Sequence, residues 1–192
     1  MDPTMAQALG RIEAAHARLG RDTLLRALRP GLGAPELARS LRDAGLPDDA
    51  LVRSLFRWHD GVDTDGAVLG DLWLFPGFYP LSLEDALLHA EAFRSHPRWG
   101  ADWLPVFADG GGDFYVVDLG DGREGAVRRF RMDEWDQPVE FANLADMVRT
   151  VATAFDDGVY HVDDEGWLEM DDAAFAGLAG LLNPGVRHWA EP

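Results

Sequence analysis

The chain contains neither cysteine nor lysine among its 192 residues. Without cysteine there are no disulfides, no thiolate metal ligands and no thiol nucleophiles, a composition that suits a reducing compartment. Without lysine a phosphate-binding loop of the G-x-x-x-x-G-K-[ST] type cannot exist. All 17 basic residues are Arg, a skew that accompanies richness in Ala and Gly and points to genome composition rather than to function. Positive charge is scarce altogether: 34 acidic residues against 17 basic ones give a net charge of −17. Such a molecule repels phosphate backbones and anionic lipid surfaces, so neither nucleic acid nor membrane is expected as a partner, and a basic protein is. No apolar run reaches spanning length, and the opening MDPTMAQALGRIEAAH lacks the basic flank and apolar stretch of a secretory signal. A cytoplasmic location is therefore expected.

Hydrophobic residues make up 47% of the chain, enough for one sizeable core. A globular domain of this length buries about 70% of the surface its unfolded chain exposes, and a single domain over residues 1–192 is expected. Helices come first. Met5, Leu9, Ile12 and Leu19 keep helical spacing after Thr4 as N-cap, with Gly20 as the stop. Residues 35–44 form a short helix with Pro35 at its start, Leu37 and Leu41 on one face and Gly45 beyond its end. In LPDDALVRSLFRWHDG, Asp48 caps a third helix, Leu51, Leu55 and Trp58 line its inner face, and Gly61 closes it.

The period then changes. Residues 70–79, with Leu72, Trp73, Leu74, Phe75 and Phe78, read as a strand ending at Pro76 or Pro80. Ser82 with Asp85 three residues on is an acidic capping box, followed by Leu83, Leu87, Ala90 and Phe93 at helical spacing. Residues 103–108, 113–119 and 126–132 are strands separated by GGG and GDGREG, which predicts an antiparallel meander, and residues 139–141 add a short edge strand. Asn143 caps a helix carrying Leu144, Met147, Val148, Val151 and Phe155 that stops at Gly158. Residues 159–162 and 166–170 form a small hairpin, followed by a helix with Phe175, Leu178, Leu181 and Leu182.

This order of elements resembles the SMI1/KNR4 family, or SUKH superfamily, over roughly residues 35–155. The resemblance rests on the Leu46-Pro47 that opens the third helix, on Gly61, and on Trp103 and Pro105 ahead of Gly112-Asp113. Where the family pattern usually has Asn before the glycine closing the third helix, this chain has Asp60. The resemblance implies an α+β domain with a central antiparallel sheet of about four to six strands flanked by helices. Residues 1–34 then form an N-terminal helical extension, and residues 156–192 an acidic hairpin-helix extension. It further implies a non-enzymatic, protein-binding role, as a bacterial immunity protein that neutralises a toxin or, as in fungal members, as a regulator with several partners.

A separate search of the residues for chemistry finds little. Asp63, Asp65 and Gly66 form a fragment of a calcium loop whose first and last ligand positions fall on Gly61 and Leu72. Gly110, Gly111 and Gly112 offer backbone N–H groups to a phosphate, but Asp109 and Asp113 flank them and no helix follows. The six histidines lack the i, i+4 pair of a helical zinc site, and His161 with Asp163 is a metal pair short of a third ligand. Ser82 is read as a cap rather than a nucleophile. Asp109 and Asp113 as an acid and base pair would make a small hydrolase, the third reading. No cofactor and no metal are expected.

Charge is unevenly spread. Residues 1–58 hold nine Arg and seven acids, whereas residues 59–192 hold eight Arg and 27 acids. No Arg lies between Arg149 and Arg187, a span that contains Asp156, Asp157, Asp163, Asp164 and Glu165. This reads either as a solvated face that aids solubility or as a steering surface for a basic partner, such as a nuclease-like toxin. Trp135, Tyr160 and Trp167, set among acids, are the aromatic anchors such a surface would use. With Asp109 and Asp113 they complete the expected partner-binding set.

Overall fold

The computed structural model describes residues 2–120 and 125–190, so most of the expected GDGREG turn lies outside the described residues. Helix α1 (Pro3–Arg18) is capped by Asp2, whose side chain accepts the Met5 N–H, with Pro3 in the first turn. Thr4 is therefore inside the helix and not its cap. Proline tolerates the first turn, where its missing N–H has no helical partner to lose. Met5, Leu9 and Ile12 are at most 1% exposed.

After α2 (Asp22–Ala27) comes strand β1 (Leu28–Pro30), then α3 (Ala34–Asp43) and α4 (Ala50–Trp58). Asp49, not Asp48, caps α4, accepting the N–H groups of Leu51 and Val52. Helix α4 does not run to Gly61. It stops at Trp58, and β2 (His59–Val62) turns back to pair antiparallel with β1. Gly61 has φ +67° and packs so tightly on the Leu81–Ser82 backbone that a Cβ has no room. Close approach, rather than helix termination, is what requires glycine there.

The run 70–79 is mostly not a strand. Residues 69–72 form a 3₁₀ turn, Phe75 bridges Phe78, and β3 is only Tyr79–Pro80. Helix α5 (Leu83–Phe93) starts as expected, with Ser82 Oγ accepting the Asp85 N–H. Asp60 Oδ1 accepts the Leu83 N–H at 2.8 Å, a task that an asparagine oxygen performs equally. Strands β4 (Trp103–Ala108), β5 (Phe114–Asp118), β6 (Ala126–Phe130) and β7 (Val139–Phe141) complete a five-stranded antiparallel sheet in the order β3-β4-β5-β6-β7.

Helix α6 (Leu144–Asp156) is capped by Asn143. The hairpin β8 (Tyr160–Val162) and β9 (Leu168–Met170) follows, then α7 (Asp172–Leu182) and α8 (Arg187–Ala190). The sheet has two covered faces. On one, Phe114 and Phe130 meet Phe93 of α5 and Trp99 edge to face at 4.9 to 5.9 Å. On the other, Tyr115 and Arg129 face Met147 and Val151 of α6. Among the described residues no helix is long and apolar enough to cross a membrane.

Candidate functional site

The β4–β5 turn is organised by one carboxylate. Asp109 Oδ1 accepts the N–H groups of Gly111, Gly112 and Asp113 at 2.7 to 3.0 Å. The backbone donors that would cradle a phosphate are thus already bound to the chain's own anion. Gly110 and Gly112 have φ +86° and +112°, which side chains with a Cβ resist. Asp113 Oδ1 accepts the Met132 N–H at 3.0 Å and so ties the turn to the 131–138 loop. Both carboxylates serve turn geometry, which leaves little for an acid and base pair.

The β8–β9 turn repeats the device. Asp163 Oδ1 accepts the N–H groups of Glu165 and Trp167 at 2.9 and 2.8 Å, and Gly166 has φ +92°. This holds Asp164 and Glu165 at an exposed tip, where their side chains make no hydrogen bond or ion pair within the described residues.

The 3₁₀ turn at 69–72 brings the two turns together. The Leu69 side chain lies against Gly110 and the Trp167 ring against Gly70, each so closely that a Cβ on the glycine has no space. Arg21 Nη2 donates to Gly70 O at 2.7 Å and fixes the turn from behind, while the Trp73 and Trp167 rings sit 6.3 Å apart. Val68 is 59% exposed, Leu69 38% and Trp167 39%. The result is an apolar patch flanked by two acidic turns. Val68 and Leu69 were not singled out from the sequence, although GAVLG inside an acidic loop was the available signal.

The other expected contact residues fall elsewhere. Asp156 pairs with Arg11 at 2.7 Å and Arg18 at 3.4 Å, fastening α1 to the end of α6. Asp157 is the exposed C-cap of α6. Tyr160 is 3% exposed and packs between Phe155 and Phe175, so it belongs to the core. Burial, and then the nearby Glu140 charge, push its phenol well above the ordinary value and keep it neutral. Trp135 is 81% exposed, with the Arg98 guanidinium 5.1 Å from its ring, on the loop that Asp113 anchors. His161 stands opposite Glu169 in the hairpin, away from any cluster. Among the described residues no group of three or more His, Asp or Glu is placed to hold a metal ion.

A comparison with curated proteins returns no match. The model of the SMI1 / KNR4 family (SUKH-1) matches residues 44–157, which span α4, α5, the five-stranded sheet and α6. That is more than half of the chain, and the chain belongs to this family.

Proposed function

We propose that this protein is a non-enzymatic, cytoplasmic binding protein of the immunity type, which neutralises a basic, nuclease-like toxin by covering it. Residues 1–192 then act as one domain, with the segments flanking the family match packed onto it. The observation that carries the reading is the convergence of the two acidic turns on exposed Val68, Leu69 and Trp167. An exposed aromatic and aliphatic patch supplies contact area, and the surrounding carboxylates accelerate encounter with a basic surface and make its rate salt-dependent.

Within the expected contact set, Asp164, Glu165 and Trp167 are the residues assigned to the partner. Asp163 holds the turn that presents them, and Asp109 and Asp113 hold the neighbouring β4–β5 turn against which Leu69 packs. The test is co-expression with the toxin encoded beside this chain. The variant Asp164→Asn, Glu165→Gln, Trp167→Ala keeps every turn hydrogen bond and should lose growth rescue, with association slowed about tenfold at low salt. Equal rescue, with an unchanged salt dependence of association, would remove this surface from the reading. Capture of several unrelated proteins by the wild type would favour the regulatory scaffold instead.

A further inference from the structure

On the α6 side of the sheet lies a cavity of about 210 Å³ that none of the acidic surface uses. Its inner wall is family core, including Phe78, Tyr115 and Phe141, and its outer wall is Tyr160, Phe175 and Trp189. The outer wall lies beyond residue 157, where the family match stops, so this chain's C-terminal elements create the enclosure.

Of the four Arg, Asp and Glu side chains that line the cavity, Arg131 is paired with Glu134 at 2.7 Å and Asp172 is exposed at the start of α7, while Glu140 and Arg129 do not pair with each other. Glu140 is 2% exposed. Strand β7 steps from Phe141 to Val139 while β6 steps only from Val127 to Arg128, so Glu140 is the extra residue of a bulge. Bulges re-aim side chains, and here an acidic residue that strict alternation would assign by period is turned inward. The Tyr115 hydroxyl donates to Glu140 Oε2 at 2.9 Å, and the other oxygen, Oε1, has only His188 Nε2 at 3.7 Å. A buried carboxylate with four acceptor sites and one hydrogen bond is short of donors.

Arg129 has the opposite deficit. Its guanidinium lies 5.3 Å from the Phe78 ring centre and 5.9 Å from that of Tyr115, yet it makes no hydrogen bond or ion pair within the described residues, and its Nε is buried without a partner. The cavity therefore presents unused donors and an under-used acceptor inside aromatic walls. A bound molecule that satisfies both needs an anionic acceptor and a cationic donor close together on an apolar body.

We infer that this cavity binds a free α-amino acid with an apolar side chain, its carboxylate on Arg129, its ammonium on Glu140 and its side chain among the aromatic rings. The volume suits such a molecule, because an apolar cavity of about 150 Å³ already admits benzene. Burial in this setting rewards a ligand that meets both polar groups and rejects one that leaves either unpaired.

The experiment measures binding to the full chain by calorimetry and thermal shift, with three probes: L-leucine, L-leucinamide, which lacks the carboxylate, and 4-methylpentanoate, which lacks the ammonium. L-leucine should raise the Tm, and each analogue should bind at least about tenfold more weakly, the loss of one buried charged hydrogen bond. Arg129→Gln removes no hydrogen bond or ion pair, only the ring contacts with Phe78 and Tyr115, and should erase the preference for leucine over leucinamide. As a control outside those three probes, L-aspartate should bind more weakly than L-leucine. Equal binding of the three probes, or no binding by any standard amino acid, overturns the proposal and leaves a water-filled cavity. Loss of toxin binding in Arg129→Gln without amino-acid binding also overturns it, in favour of a socket for a partner side chain.

Discussion

Arg128 and Arg129 are neighbours in β6 that face opposite sides of the sheet, and their surroundings differ in almost every respect. Arg128 has Nε on Asp118 Oδ2 at 2.9 Å and Nη1 on Gln137 O at 2.9 Å, and its guanidinium lies 5.4 Å from the Trp103 ring centre. Both members of the ion pair have side chains only 9% exposed. Beside them Phe93, Trp99, Phe114 and Phe130 interlock. Arg129 is half-buried and lines the cavity with its Nε buried and unpartnered. The α5 face is finished packing, whereas the α6 face keeps a site open. One face stabilises the domain and the other gives up some stability for binding capacity.

The comparison breaks most visibly at the packed face. Phe130→Ala removes the ring at the centre of the aromatic cluster and should cost about 4 kcal/mol in urea unfolding. Arg128→Ala strands Asp118 without its cation and should cost about 3 kcal/mol, with much of it restored by removing Asp118 as well.

A smaller effect comes from one layer outside α6. His16 is fully buried, donates Nε2–H to Leu74 O at 2.9 Å and touches Phe155, and burial lowers its pKa from 6.5 to about 4. The neutral ring is the folded form, so the unfolded chain takes up the proton first as pH falls. This contribution is complete above pH 6.5 and fades as pH drops towards 4, with about 2.5 kcal/mol gone by pH 4.5. His16→Gln should be less stable at pH 7 but have a flatter profile between pH 7 and 4.5. The smallest effect sharpens the contrast between the two arginines: Arg129→Gln should cost about 1 kcal/mol or less, because only the guanidinium contacts with the Phe78 and Tyr115 rings are lost.

Where a cap and a periodic face coincide, the sequence specifies the element outright. Asn143 with Leu144, Met147 and Val151, and Ser82 with Leu83, are such cases, and both helices begin where expected. The residues 70–79 failed because an apolar run buried on every side carries no period. Leu72 and Leu74 are at most 2% exposed without belonging to a strand. Strands β1 and β2 were not foreseen, since LRP and HDGV are short, polar and interrupted by proline and glycine. The turn surface was half legible. Acids and glycines announced the turns, but only the tertiary fold brings Leu69 to Gly110 and Trp167 to Gly70. Tyr160 and Trp135 are aromatic residues with acids nearby in sequence, yet one is core and the other 81% exposed, a difference set by what packs over them. Glu140 was invisible as a site residue because its inward aim depends on a bulge, which a three-residue strand does not advertise.

The margins of the sheet limit how this protein meets other chains. One margin is the two-residue β3, where Pro80 has no N–H to offer, and the other is the three-residue β7, against which α8 packs. Neither offers the long, unpaired ladder that templates strand addition. This geometry disfavours edge-to-edge addition at the five-stranded sheet, so a second chain meets side chains there before it meets unpaired backbone.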